Sequence, residues 1–271
     1  ADMLEKIKET TEFLREKGIT DPDAGIILGT GLGGLTAGIN ISKEIYYSEI
    51  PNFPLPTVDG HEGRLIYGEL GGKRIVAMKG RLHYYEGYNT QLIALPVRVL
   101  KYLGIKYLFL SNAAGGLNPE YRIGDIMIIT DHINLLPNPL IGPNDERIGA
   151  RFPDMGEAYD KNLIEKAHAI AEKHNIRIHK GIYLSTTGPN FETPSEYKYF
   201  RIIGADAVGM STTPEVIVAR HMNIPCFAVS IITDLGVEGK IAYTTHQSVL
   251  EEAGKTEDRM TTIMTELISS L

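Results

Sequence analysis

The sequence contains a single cysteine, Cys226, so the chain cannot form a disulfide within itself, which favours a reducing compartment. Cys226 lies in an apolar run, and we predict a buried thiol with a structural role. No apolar stretch approaches the roughly 18 residues that a membrane-spanning helix needs. The first residues alternate charged with apolar side chains, unlike a signal peptide. We expect a cytoplasmic protein with no membrane partner.

Basic clusters, metal-binding motifs and hydrolase motifs are also missing. The net charge is −7 and the basic residues are scattered, so nucleic acid is not expected as a partner. There is no HExxH, no paired CxxC and no carboxylate cluster with metal-ligand spacing, which predicts that no metal is bound. The absence of Gly-x-Ser-x-Gly argues against hydrolysis through a serine nucleophile.

What is present is a pattern of alternating β and α segments. Hydrophobic residues make up 43% of the chain, as in soluble globular proteins, and the length predicts one domain over residues 1–271. The alternation predicts an α/β fold with a central mixed or mostly parallel sheet and helices on both faces. The predicted strands are 25–28, 74–78, 107–110, 125–129, 182–184, 207–210 and 227–232, and the predicted helices are 3–14, 91–103, 161–174, 194–203, 213–222 and 246–269.

Polar residues follow most of these strands. In an open α/β sheet the ligand crevice lies beyond the carboxyl ends of the strands, so we expect these side chains to converge. The residues concerned are Thr30, Arg81, His83, Tyr85, Ser111, Asn112, Ser211, Thr233 and Asp234. The stretch 136–154, rich in Pro, Asn and Gly, is the longest irregular segment, and a loop of that length is usually functional or part of a subunit contact.

Two segments suit an anion. In the turn 29–33, small residues expose backbone N–H groups and Thr30 adds a hydroxyl, although a plain tight turn explains the pattern equally well. In the segment 80–87, Arg81 offers a planar fork of donors that matches phosphate, and His83 adds a further donor. A solvated charged loop is the alternative interpretation of this second segment.

The segment 188–196 suits a flat heterocycle. Phe191 can stack on a ring and Glu192 can accept hydrogen bonds from its N–H groups. A capping box of Thr193 and Glu196 is the alternative, and both interpretations can hold together. His61 and His246 are single histidines, which taken alone are more often structural.

Four blocks, taken together, closely resemble the trimeric purine nucleoside phosphorylase family, which also contains the methylthioadenosine phosphorylases. The blocks are residues 80–87, 111–116, 188–193 and 204–220, and they occur in the family's order along nearly the whole chain. The resemblance implies the phosphorylase-like fold, a homotrimer, no cofactor, and inorganic phosphate as co-substrate. It implies cleavage of purine (deoxy)ribonucleosides to free base and (deoxy)ribose 1-phosphate in purine salvage.

The same resemblance implies a role for each matching residue. The phosphate-binding residues would be Thr30, His61, Arg81, His83, Ala113 through its backbone, and Ser211. The ribose-binding residues would be Tyr85, Met210, His246 and, from a neighbouring subunit, Phe152. The base-binding residues would be Ala113, Ala114, Phe191, Glu192, Val208, Thr233 and Asp234. Asp234, His83 and Glu192 would take part in catalysis.

Two positions depart from the purine nucleoside phosphorylase pattern, with Thr30 in place of serine and Asp234 in place of asparagine. An ionised Asp234 only accepts hydrogen bonds, which favours a 6-amino purine, whereas Glu192 favours the N1–H of a 6-oxo purine. Inosine and guanosine are the predicted preferred substrates, and a variant that also accepts 6-amino purines such as adenosine is an alternative. A methylthioadenosine phosphorylase is the nearest alternative, and His246 fits its apolar 5′ pocket poorly. A non-catalytic nucleotide-binding module built on residues 29–34 is a second alternative, which leaves Arg81 and Glu192 unexplained.

Overall fold

The computed structural model describes residues 2–30, 32–57 and 63–271, and these contain nine strands and six α-helices. The strands are β1 (Ala24–Leu28), β2 (Asn40–Tyr46), β3 (Arg64–Leu70), β4 (Lys73–Lys79), β5 (Tyr107–Gly116), β6 (Ile126–Asn134), β7 (Ile178–Ser185), β8 (Ala207–Gly209) and β9 (Cys226–Leu235). The helices are α1 (Met3–Glu16), α2 (Thr90–Leu103), α3 (Lys161–Lys173), α4 (Pro194–Ile202), α5 (Thr213–His221) and α6 (His246–Ser269).

All nine strands form one mixed sheet in the order β2-β3-β4-β1-β5-β8-β7-β6-β9. Strand β5 also pairs with β9 in parallel, so β5, β8, β7, β6 and β9 close into a small barrel. Strand β1 pairs in parallel with both β4 and β5 and is buried along its whole length, as expected of a strand covered on both faces. The predicted α/β fold with a central mixed sheet is confirmed, and the closure into a barrel adds to it.

The helices pack in two groups. Helix α2 contacts both α1 and α5, while α6 contacts α3 and lies on β9. Helix α4 begins at a capping box in which Thr193 Oγ1 accepts from Glu196 N at 3.1 Å and Glu196 Oε1 accepts from Thr193 N at 2.8 Å. The predicted cap is therefore confirmed. It fixes the start of α4 directly after residues 191–192.

Two strands run further than the sequence predicts. The expectation that Ser111 and Asn112 follow β5, and that Thr233 and Asp234 follow β9, is wrong, because all four residues lie inside those strands. The ladder between β5 and β9 continues through Asn112 and Ser230, with a register shift after Ala114. Pairing between β5 and β9 holds these small and polar residues in the sheet, despite their weak preference for strands.

Strands β2 and β3 were not predicted. Strand β2 lies at the edge of the sheet and is exposed at six of its seven positions, so it has no apolar run to mark it. The irregular segment after β6 extends over residues 135–160, slightly longer than expected. Within the described ranges, no helix is both long enough and apolar enough to cross a membrane.

Candidate active site

A cavity of about 270 Å³ lies where β5, β8 and β9 meet the turns that follow β1 and β4. It brings together nearly all the predicted site residues from distant parts of the chain. Those residues are Thr30, Arg81, His83, Tyr85, Ala113, Ala114, Phe191, Glu192, Val208, Met210, Ser211, Thr233, Asp234 and His246. His61 lies outside the described residues, and Phe152 lies outside this cavity.

The turn after β1 reaches the cavity through a close backbone approach at Gly29. A Cβ atom there would stand 2.7 Å from the carbonyl oxygen of Ser111 and 2.8 Å from the Cα of Asn112, so only glycine fits without moving β5. The Gly29 N–H donates to Ser111 Oγ at 3.1 Å. The hydrogen bond between Gly29 and Ser111 holds the turn against β5. Thr30, the next residue of the turn, lines the cavity.

Arg81 is almost fully buried and forms a network at one end of the cavity. Its Nε donates to Glu215 Oε1 at 3.1 Å, and its Nη1 donates to the Ser111 carbonyl oxygen at 2.5 Å and to Ser211 Oγ at 3.4 Å. Its Nη2 is buried and has no hydrogen-bond partner among the described residues. A buried guanidinium with an unused donor provides a strong binding point for an anion.

His83 is held in place by a neighbouring carboxylate. Its Nδ1 lies 2.9 Å from Glu86 Oε2, and its ring stacks on Tyr85 with centroids 4.7 Å apart. Burial opposes ionisation of Glu86, but hydrogen bonds from His83 and Thr57 outweigh it and lower the pKa of Glu86 to about 2. An ionised Glu86 favours a proton on Nδ1 and fixes the orientation of the imidazole, which faces the same cavity as Arg81.

Two carboxyl groups, Glu192 and Asp234, line the cavity away from this basic cluster. Burial first, and the charge of Asp234 second, raise the pKa of Glu192 to about 8, and Glu192 Oε2 is buried with no hydrogen-bond partner in the described part of the chain. Burial also raises the pKa of Asp234, although hydrogen bonds from Thr233 and Tyr197 oppose the shift. Burial and the neighbouring carboxyl group therefore favour the protonated form of Glu192 at neutral pH.

The cavity is mostly apolar between these ends. Phe191, Val208 and Met210 line it, and His246 stands at the first position of α6, where Thr245 caps the helix. Phe152 is 89% exposed and lies in the irregular segment 135–160, where the Arg151 guanidinium lies 5.8 Å from the centre of its ring. Its predicted contact with the sugar of a neighbouring subunit stays a prediction.

Comparison with known proteins agrees with this arrangement. Residues 23–269 match the model of the phosphorylase superfamily. Purine nucleoside phosphorylase 1 of Geobacillus stearothermophilus is 49% identical over 250 residues, covering 92% of this chain and 91% of the relative. Crystal structures of Schistosoma mansoni purine nucleoside phosphorylase are 41% identical and superpose with TM-scores of 0.94, in complex with adenosine, and 0.93, in complex with inosine. They cover 98% of this chain and 97% or 96% of theirs.

The chain belongs to the purine nucleoside phosphorylases. The predicted family is therefore confirmed, along with its fold. A plain nucleotide-binding module built on residues 29–34 is no longer needed to explain the glycine-rich turn, whose tight approach to β5 has a structural cause at Gly29.

Sequence reasoning missed several residues that hold this phosphorylase site together. Glu215 pairs with Arg81, Glu86 orients His83, and Tyr197 bonds to Asp234. Glu215 lies inside the matched block 204–220 and Glu86 inside 80–87, so the family pattern could have indicated both. Tyr197 carries no such signal, because its contact depends on how α4 packs.

The predicted burial of Cys226 is confirmed. Cys226 is fully buried, and burial raises the pKa of its thiol to about 12, which makes a nucleophilic role untenable. Histidines away from the site bond to nearby side chains, as with His132 to Tyr159 at 2.8 Å and His179 to Asp125 at 2.7 Å. Among the described residues, no group of three or more His, Cys, Asp or Glu side chains could hold a metal ion.

Proposed function

We propose that this chain is a pentosyltransferase that cleaves purine nucleosides with inorganic phosphate, with inosine and guanosine preferred. One observation carries the proposal: Arg81 Nη2 and Glu192 Oε2, both buried and both without a hydrogen-bond partner among the described residues, belong to side chains that line one cavity. An unused cationic donor suits phosphate, and an unused carboxyl oxygen suits the polar edge of a purine.

The phosphate would bind beside Arg81, His83 and Ser211, together with Thr30 and the Ala113 backbone. Its oxygen attacks C1′ of the ribose as the C1′–N9 bond breaks, and the bonding electrons stay with the purine. The sugar becomes cationic during this step, so phosphate stabilises it, while the carboxyl pair stabilises the anionic purine. The products are the free base and ribose 1-phosphate.

We propose that Glu192 and Asp234 hold one proton between them when a substrate binds, which gives the site a way to accept either kind of purine. With a 6-oxo purine, an ionised Glu192 accepts from N1–H and a protonated Asp234 donates to N7 as the bond breaks. With a 6-amino purine the proton sits on Glu192, which donates to N1, while Asp234 accepts from the amino group. The adenosine and inosine complexes of the Schistosoma relative support this flexibility.

The direct test is release of base from inosine, guanosine, adenosine and methylthioadenosine, with and without phosphate. We expect cleavage of inosine and guanosine only when phosphate is present, with ribose 1-phosphate formed in equal amount. A preference for methylthioadenosine would assign the chain to the other branch of the family. The variant Arg81→Met should lose activity at low phosphate, while Arg177→Met, which changes an exposed arginine away from the site, should not.

The site is proposed to need a second copy of the chain. Phe152 would cover the sugar of a neighbouring subunit in a homotrimer, which explains why its ring is exposed here. Coexpression of Phe152→Ala with Ser211→Ala tests this arrangement, because a mixed trimer then contains sites with an intact phosphate end and an intact Phe152. At low phosphate, mixed trimers should be more active than either variant alone. Mixed trimers no more active than the two variants would show that Phe152 serves its own chain.

No cofactor is proposed beyond the co-substrate phosphate, and the cytoplasm is the proposed location. Dialysis against a metal chelator should leave phosphorolysis of inosine unchanged. A loss of activity that added divalent metal restores would contradict the metal-free mechanism. A fluorescent fusion of the chain should be diffuse in the cytoplasm.

A further inference from the structure

The backbone at Thr212 adopts a conformation that a β-branched residue rarely takes. Thr212 has φ 72° and ψ −51°, and the N–H of Thr213 donates to the carbonyl oxygen of Ser211 at 2.8 Å, which together define a γ-turn. Thr212 is completely buried. Strained backbone of this kind persists only where the surrounding structure over-determines it, and it occurs most often at functional sites.

A buried hydrogen-bond network holds the turn. Asn112 Nδ2 donates to Thr212 Oγ1 at 2.9 Å, and Ser230 Oγ donates to Asn112 Oδ1 at 2.7 Å. Strands β5 and β9 thereby hold the turn through the side-chain amide of Asn112, whose oxygen and nitrogen both have partners. Although Asn112 lines the cavity, its amide nitrogen is used by Thr212 and its amide oxygen by Ser230, which makes it unsuited to reading the base.

The γ-turn also fixes the position of Ser211. The Ser211 hydroxyl lies 3.1 Å from Thr212 Oγ1 and 3.4 Å from Arg81 Nη1, while the Ser211 N–H donates to the Tyr183 hydroxyl at 3.2 Å. On the other side, Thr213 Oγ1 donates to Asn134 Oδ1 at 2.8 Å. Both flanks of Thr212 are thus anchored by hydrogen bonds, and the strained residue lies between them.

We propose that Asn112 and Thr212 are positioning residues, which hold the Ser211 hydroxyl beside Arg81 for phosphate binding. This inference rests on the proposed phosphate role of Ser211. An unstrained chain at position 212 would point Ser211 elsewhere, so the strain is the means by which the hydroxyl and the guanidinium face one ligand. Neither Asn112 nor Thr212 needs to touch the substrate.

The test measures KM for phosphate at saturating inosine, and KM for inosine at saturating phosphate, in a set of matched variants. Thr212→Val removes the acceptor of the Asn112 hydrogen bond at constant shape, and it should raise KM for phosphate about ten-fold, the loss expected for one buried hydrogen bond. KM for inosine should stay within about two-fold of the wild type, since the base end is untouched. Asn112→Ala should behave like Thr212→Val. Thr212→Ser keeps the hydroxyl and should retain the wild-type KM for phosphate.

Thr212→Gly provides a second measurement if the valine variant folds poorly. Glycine adopts positive φ without strain, so this variant should melt no lower than Thr212→Val while still showing the raised KM for phosphate. Equal changes in both KM values, or a Thr212→Val variant indistinguishable from Thr212→Ser, would overturn the inference.

The variant Ser211→Ala separates this inference from the proposed phosphate role of Ser211. A raised KM for phosphate in Ser211→Ala, with none in the Thr212 or Asn112 variants, would leave the proposed function intact and refute positioning. An unchanged KM in Ser211→Ala would refute the phosphate role itself.

Discussion

Replacing Asp234 by asparagine should strengthen the proposed preference for 6-oxo purines at the expense of 6-amino purines. Thr233 Oγ1 donates to Asp234 Oδ1 at 3.0 Å, so the amide oxygen fits at that position and the amide nitrogen replaces the other oxygen. The variant then donates to N7 at any pH but opposes the amino group of adenine with a second donor. Loss of the Asp234 charge also removes one of the causes that raise the pKa of Glu192.

The size of the effect follows from these contacts. A hydrogen bond to a charged group is worth about 1.5–3 kcal/mol, and about 1.4 kcal/mol is a factor of ten, so kcat/KM for adenosine should fall about 10-fold to 100-fold relative to inosine. The assay compares kcat/KM for both nucleosides at pH 7 and saturating phosphate, with Asp258→Asn on the exposed side of α6 as the matched control. An unchanged ratio in Asp234→Asn would show that this carboxyl does not set base choice.

Three further predictions concern the same network and the core. Because the pKa of Glu192 is raised to about 8, the carboxyl pair should lose its proton above that pH, and wild-type kcat/KM for inosine should then fall. Asp234→Asn should resist this fall, since its amide donates at any pH. Parallel pH profiles of the two proteins would contradict the proposed shared proton. Arg81→Met leaves Glu215 buried and unpaired, and chemical denaturation should show a loss of about 3–5 kcal/mol of unfolding free energy, against almost none for Arg177→Met. Cys226 should react with a thiol reagent only as fast as the chain unfolds, and a rapid reaction of the native protein would contradict its burial.

The sequence predicted the elements whose signals are local. Buried apolar runs marked β1 and β4, and the capping box marked the start of α4, because each depends on neighbours in the chain. The carboxyl ends of β5 and β9 were cut short, since their small and polar residues stay in the sheet only by pairing with each other. The edge strand β2 carries no buried apolar run and was missed for that reason.

The site was predicted as a set of residues but not as a network. Family blocks and strand ends indicated Arg81, Ser211 and Glu192, which do converge on one cavity. The contacts that orient them join segments 100 or more residues apart, as Arg81 with Glu215 or Asn112 with Thr212, and no local pattern encodes such pairs. The γ-turn runs against the preference of threonine, so propensity alone predicts its absence.

Because of the close approach at Gly29, the two ends of the cavity differ in how many substitutions they can tolerate. At the end where phosphate is proposed to bind, a Cβ atom on Gly29 would clash with β5, so descendants of this sequence have almost no latitude there. At the opposite end, the proposed base contacts are made by the ends of side chains such as Asp234, which can be exchanged without shifting the scaffold. New nucleobase specificities should therefore arise by substitution at that end, around a conserved mode of holding the attacking oxyanion.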